Sequence, residues 1–276
     1  MELLVVPLAL AVIAFYFNRS ERKTERALAE NREQEAVLGT YLDRTSELLL
    51  DKGLTKSKTG DDVRTIARAR TLTALRRLDP ARKGQLIRFL SESRLTKRDE
   101  ENGESLVELR SADLSGAELK GTPLSEIDLS GISLREADLS GTIMAYVNLI
   151  GSDLLNANLS GARFEGVDLE RAHLALGYLR GADLTDANLS GANLTGAQLS
   201  GAYLSGSDLT RANLRSADLR KAWLGNDQAS ADDPNANLTN ADLRGANLTG
   251  AAVTDKQLAA ARSLQGAIMP DGRRHD

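Results

Sequence analysis

Residues 182–216 read ADLTD ANLSG ANLTG AQLSG AYLSG SDLTR ANLRS when the chain is broken after every fifth residue. The centre of each unit is a leucine: Leu184, Leu189, Leu194, Leu199, Leu204, Leu209 and Leu214. Followed outward, the five-residue step holds without a gap from Leu109 to Leu224, 24 units in all, and only Met144 and Phe164 replace Leu. Two residues before each centre stands a mostly small residue, such as Ala112, Thr122, Ala137, Ser152, Ala162 or Ala222, with Val107, Ile127 and Ile132 among the larger members.

A strand alternates sides with period two, so an odd repeat cannot hold one face inward along a straight strand. The centre and the small residue two before it point inward, and the residue between them points out. The remaining two residues then face outward in succession, which breaks the alternation and turns the chain. Each unit is therefore one short side and one corner. Gly116, Gly121, Gly131, Gly141, Gly151, Gly161, Gly181, Gly191 and Gly201 stand at that corner, where a positive φ costs glycine nothing. Aromatics are only 4% of the chain, too few for an ordinary globular core. Burying each Leu contributes roughly 1.5–3 kcal/mol before chain entropy is subtracted, so the leucine columns can carry the fold.

The pattern resembles the pentapeptide repeat family, whose signature is a small residue, Asn or Asp, Leu, then Ser, Thr or Arg, then Gly. Ala182-Asp183-Leu184-Thr185-Asp186, Ala192-Asn193-Leu194-Thr195-Gly196 and Ala212-Asn213-Leu214-Arg215-Ser216 carry it, and the resemblance covers about residues 107–253. It implies an all-β solenoid, a right-handed quadrilateral (four-sided) β-helix with four pentapeptides per coil. Six coils at about 4.8 Å each then make a rod of roughly 29 Å. Met144 and Phe164 fall in one inward column between Leu124 and Leu184, the flexible thioether offsetting the larger ring. At Gly225 the period fails, and Leu238 arrives nine residues later than position 229. Residues 225–235 are read as a loop insertion, after which Leu238, Leu243, Leu248 and Val253 complete a seventh coil. Thr254 and Gln257 predict a capping box for a helix over Leu258 to Leu264, making 254–276 a C-terminal capping helix and tail.

Ahead of the repeats the sequence is α-helical in character. Leu3 to Phe17 is a fifteen-residue run without a charge, followed by Arg19, Arg22, Lys23 and Arg26. Residues 1–18 are expected to form a transmembrane or membrane-anchor helix of about 25 Å, with the basic flank and everything after it on the cytoplasmic side. A cleaved signal peptide competes, although the charge before the run is Glu2 and no small-residue cleavage site follows it. A buried core helix is the third reading. Residues 19–95 read as a helical linker or bundle. Val37, Leu38, Tyr41, Leu42, Leu48 and Leu49 mark one buried face, Asp61 or Asp62 caps a second helix, and Asp79-Pro80 opens a third. Along it lie Arg64, Arg68, Arg70, Arg76, Arg77, Arg82, Lys83 and Arg88, either a site for an acidic partner or a solvated face. Thr96 to Ser105 is nearly all polar, and 96–106 reads as a hinge before the repeats.

The chemistry-bearing residues are sparse. There is no Cys, and His173 and His275 are the only histidines, which excludes zinc and nucleophile–His–Asp sites of ordinary design. Asn and Asp between the inward positions, such as Asp168, Asn188 and Asp208, are expected to bond neighbouring backbone in vertical ladders. No cofactor, metal or enzyme activity is expected. Residues 104–253 carry 20 Asp and Glu against 11 Lys and Arg. The features that stand out are outward apolar residues where the family prefers polar ones: Ile143, Tyr146, Ile150, Leu155, Leu176, Tyr178, Tyr203 and Trp223. On a four-sided coil Ile143, Tyr203 and Trp223 share one side and Leu155 lies near Leu176, the pattern of an interface; Trp223 alternatively pins the inserted loop. The expected function is a membrane-tethered, non-catalytic scaffold for protein–protein interaction, in a bacterial inner or thylakoid-type membrane with the repeats facing the cytoplasm. Partners are a protein, the membrane through Leu3 to Phe17, and a second copy in a homodimer; nucleic acid is not expected. The alternative comes from a branch of the resembled family that mimics duplex DNA and binds DNA gyrase.

Overall fold

The computed structural model describes residues 5–98, 104–225 and 234–276, with side chains from residue 23 onward. It holds an N-terminal helical region and a β-solenoid. Helix α1 (Val5–Leu50) runs unbroken for 46 residues. The sequence reading divides it near Asn18, but no proline stands between Asn18 and Leu50, and one interior glycine, Gly39, costs only about 1 kcal/mol against Ala. Among the described residues no helix is long and apolar enough to cross a membrane. The Leu3 to Phe17 anchor segment lies outside the residues described with their side chains.

Among the α1 residues described with their side chains, those that pack lie in its second half. Residues 23–30 are exposed on every side, whereas Leu38, Tyr41, Thr45 and Leu48 are buried against helix α2 (Asp62–Arg77). The Tyr41 and Thr71 hydroxyls share a hydrogen bond of 2.9 Å. Asp79 caps helix α3 (Pro80–Glu92) by accepting the Arg82 N–H at 2.8 Å, with Pro80 in the first turn where its missing N–H is no loss. The buried Arg82 guanidinium then ties α3 to α1, donating to its own N-cap Asp79 and to Asn31 and Glu35 of α1 at 2.5–2.6 Å.

The helical region closes the first coil of the solenoid. The Glu118 N–H donates to the Pro80 carbonyl at 3.0 Å, and Ser91 donates to the Pro123 carbonyl at 2.8 Å. Gly84 lies so close to the coil that a Cβ there would collide with the Glu118 carbonyl. Strand edges at the open end of a solenoid need such a cover. The region expected as a hinge is partly built into this cover. Lys97 pairs antiparallel with Ile127, the Arg98 N–H donates to the Glu126 carbonyl, and the Val107 N–H returns to the Leu95 carbonyl at 2.7 Å. Polar composition signals low burial but not the absence of backbone pairing, and here the pairing sets the segment in place.

The solenoid itself is a ladder of parallel bridges between residues 20 apart, beginning Asp113↔Ser133, Glu118↔Asp138, Pro123↔Ile143 and Asp128↔Asn148. Four pentapeptides therefore separate stacked positions. Within a unit the bonding is regular. The Leu114 N–H reaches the Ser133 carbonyl of the next coil at 2.8 Å, the Ser133 N–H returns to the Ala112 carbonyl at 3.0 Å, and the Ala117 N–H closes the corner onto the Leu114 carbonyl at 3.0 Å. Asn and Asp at the outward middle position accept the N–H two residues on, as in Asp138 from Ser140 at 3.0 Å and Asn188 from Ser190 at 3.1 Å. The leucine centres, Met144 and Phe164 are all within 1% of full burial. Ser and Thr are tolerated at the small inward position because their hydroxyls donate to the preceding centre's carbonyl, as Thr142 does to Leu139 and Ser152 to Leu149, each at 2.7 Å.

One outward column, Asp128, Asn148, Asp168, Asn188, Asp208 and Asn237, alternates acid and amide at every step. Stacked carboxylates at strand spacing would repel. Alternation replaces that repulsion with a bond, the Asn188 amide donating to Asp168 at 2.9 Å.

Across 225–235 the stacking step lengthens from 20 to 29 residues, as in Asp208↔Asn237 and Trp223↔Ala252; residues 226–233 lie outside the described set. Helix α4 (Asp255–Ala260) has the capping box of Thr254 and Gln257. Gln257 is buried, and its amide donates to the Leu224 and Ala236 carbonyls at 2.9 Å, tying α4 to both flanks of the insertion. The helix expected over Leu258 to Leu264 stops at Ala260. Ser263 and Ile268 return to the ladder on Asp242 and Asn247, with Ala267 buried, so the chain coils again beyond α4.

Candidate interaction surface

The 20-residue register places the outward apolar residues. Ile143, Tyr203 and Trp223 stand in one column, Pro123, Ile143, Arg163, Asp183, Tyr203, Trp223 and Ala252. Tyr203 and Trp223 are direct neighbours there, at 56% and 39% exposure, while Arg163 and Asp183 separate them from Ile143. Tyr146 lies on the corner that follows Ile143. Its ring crosses the next coil, where a Cβ on Gly166 would come within 2.9 Å of it. Tyr178 stands in a different column, between Asn158 and Gln198. Leu155 and Leu176 share a corner, since the Asn156 N–H donates to the Ala175 carbonyl at 3.1 Å, and Leu176 packs over Gly196 as Tyr146 does over Gly166. Ile150 sits alone on a further corner. The register thus sets Tyr203 beside Trp223 and Leu155 beside Leu176, while Tyr146 follows Ile143 around a corner and Tyr178 stands on the side after Leu176.

The corners are not reserved for glycine. The second residue after each centre from Leu109 to Leu219 adopts a left-handed conformation, and Tyr146 and Leu176 occupy it at φ +57° while remaining more than half exposed. Non-glycine residues lose roughly 1–2 kcal/mol there.

The basic residues of the helical region each bond within the chain, Arg76 and Arg77 while remaining exposed. Arg64 bonds Ser57, Arg68 the Arg110 carbonyl, Arg70 the Arg44 carbonyl, Arg76 the Leu72 carbonyl, Lys83 the Ser115 carbonyl and Arg88 Thr122. Arg77 pairs with Glu33 at 3.9 Å and Arg82 with Glu35 at 2.6 Å. Arg68, Lys83 and Arg88 reach the first coil, Arg70, Arg77 and Arg82 reach α1, and Arg76 bonds within its own helix.

Along the rod many carboxylates are matched. Asp218 is held below the usual carboxylate range by the Arg220 guanidinium at 2.7–2.8 Å, and Asp242 likewise by Arg244. Partial desolvation pushes Asp153 up, but Arg135 at 2.9 Å and the Leu155 N–H bring it below its ordinary value. His173 lies 3.3 Å from the same Asp153 on the rod surface. Among the described residues no cluster of His, Asp and Glu could hold a metal ion.

Family comparison matches the pentapeptide repeats, in eight copies, over residues 132–171, 162–201, 192–226 and 234–255. HetL, a pentapeptide repeat protein involved in heterocyst differentiation regulation in the cyanobacterium Nostoc sp. strain PCC 7120, is 35% identical over 61% of this chain and 87% of its own, with a TM-score of 0.36. The chain belongs to the pentapeptide repeat family. Within this family, a protein from the Arabidopsis thaliana thylakoid lumen is 36% identical over 37% of this chain and 70% of its own, with a TM-score of 0.26. A trypsin-treated form of QnrB1, a plasmid-mediated fluoroquinolone resistance protein, is 20% identical over 58% of this chain and 80% of its own, with a TM-score of 0.34. No curated protein matches the chain.

Proposed function

We propose that this pentapeptide repeat protein is a non-catalytic scaffold, tethered through Leu3 to Phe17 with its repeats on the cytoplasmic side, whose solenoid presents apolar sites to a protein partner. In this reading the coil is right-handed and four-sided, and the helical region both caps it and spaces it from the membrane. The observation that carries the reading is the placement of Tyr146, Leu176, Tyr203 and Trp223. They are exposed, contribute little to the core, and in two cases occupy corners where glycine is less strained. Aromatic and aliphatic groups fixed on a rigid surface are the usual energetic centres of interfaces. The duplex-mimic alternative needs a continuous anionic face, and the pairing of Asp153, Asp218 and Asp242 with Arg135, Arg220 and Arg244 interrupts one.

Affinity capture of the full chain from native membranes tests this. The parent is expected in the membrane fraction with a reproducible partner, and Tyr203→Ala/Trp223→Ala to lose at least about tenfold of it, as for residues each contributing more than 1 kcal/mol. A fully soluble parent would reject the tether, and undiminished capture by the variant would reject the Tyr203–Trp223 site.

A further inference from the structure

Helices α1 and α2 leave between them an open groove of about 460 Å³. They run antiparallel: Gln34 donates to the Arg77 carbonyl at one end, and Arg70 donates to the Arg44 carbonyl at the other. The α2 wall is made of Arg70, Arg77 and, between them, Ala69, Thr73 and Ala74, whose small side chains leave the space open. The α1 wall is Glu33, Ala36, Val37, Thr40, Tyr41 and Arg44.

The order of those six residues is self-complementary. Glu33 and Arg44, Ala36 and Tyr41, and Val37 and Thr40 are each equally distant from a point between Leu38 and Gly39. An antiparallel second α1 crossing a twofold axis at that point sets acid against base at both ends and Val37 against Thr40 in the middle, over a floor made by Tyr41, which is buried in its own hairpin. The surrounding charges agree with this. Arg70, bonded to the Arg44 carbonyl, strengthens the positive end that would receive Glu33 of the second copy. Arg77, beside Gln34, would face Asp43 and Glu47 of the second copy, both exposed in the single chain. Within one chain Glu33 meets Arg77 at 3.9 Å, both side chains more than half exposed; an acidic helix from another protein would compete for that arginine, whereas a second α1 brings Arg44 to Glu33.

We propose that the groove is filled by α1 of a second copy of this chain, the two α1–α2 hairpins forming an antiparallel four-helix bundle about a twofold axis. The solenoids then project from a common helical hub, and the sites on each rod are presented twice. This stands apart from the identity of any rod partner.

Sedimentation equilibrium of the full chain in detergent, corrected for bound detergent, is the test. The parent is expected to be a dimer. Glu33→Arg alone and Arg44→Glu alone each place like charges together twice and are expected to weaken association by at least about tenfold, with helicity unchanged because both side chains are exposed. Mixing the two variants restores an acid–base pair at both contacts and should recover a heterodimer of near-parental affinity. A monomeric parent, a dimer indifferent to both reversals, or a mixture that stays dissociated would each overturn the proposal.

Discussion

Replacing Leu189 with Lys is expected to abolish cooperative unfolding. Leu189 is fully buried in mid-rod, and its N–H donates to the Asp208 carbonyl at 2.8 Å. The substitution removes about 2 kcal/mol of apolar burial and sets an ammonium among leucines and alanines, where ionisation without a partner costs several kcal/mol. Together these approach the whole stability of an ordinary domain, about 5–15 kcal/mol. Each coil of a solenoid contacts only its neighbours, so a failure in the middle separates the coils on either side instead of fraying one end. Circular dichroism on heating should show a broad, shallow change where the parent melts sharply. A parent-like melt would reject the inward assignment of the leucine column.

Gly84→Ala has an effect of opposite sign in two accounts. In an exposed helix interior the change should stabilise by about 1 kcal/mol. Here the added Cβ meets the Glu118 carbonyl, a backbone atom of the first coil held by its own neighbours. Either α3 lifts off the coil or the coil bends, and overpacking of this kind costs about 1–3 kcal/mol. The Pro80–Glu118 and Ser91–Pro123 bonds would stretch with it. Urea denaturation is therefore expected to give a lower midpoint for the variant, with earlier proteolysis of the helical region. A higher midpoint would mean that α3 does not seat on the coil.

These two residues mark the limits of what the sequence shows. Leu189 belongs to a period that any reading of the chain finds, because burial dictates one inward position in every five. The importance of Gly84 is invisible, since a glycine inside a helix pattern carries no sign of the backbone lying against it. The same holds for Arg82 and Lys83, which read as surface charge and prove to be buried links between elements. At the C-terminus, Leu264 and Met269 resume the five-residue step, with Ala267 as the small residue two before Met269, but two units after a helix are too short to read as a coil. The apolar surface residues were legible one by one. Their grouping followed once the family resemblance supplied four pentapeptides per coil, since the step of five alone does not fix which units stack; what it did not show is that Arg163 and Asp183 stand between Ile143 and Tyr203.

The register is also what makes a surface of Tyr203 and Trp223. The chain has no native cysteine, so paired substitutions report it without interference. Stacked positions stand about 4.8 Å apart, within reach of a disulfide. Tyr203→Cys/Trp223→Cys, at bridged positions 20 residues apart, is expected to crosslink under mild oxidation and shift on a non-reducing gel. Gln198→Cys/Trp223→Cys, on different columns, is expected to remain open. Crosslinking of the second pair in preference to the first would contradict the stacking on which the candidate surface depends.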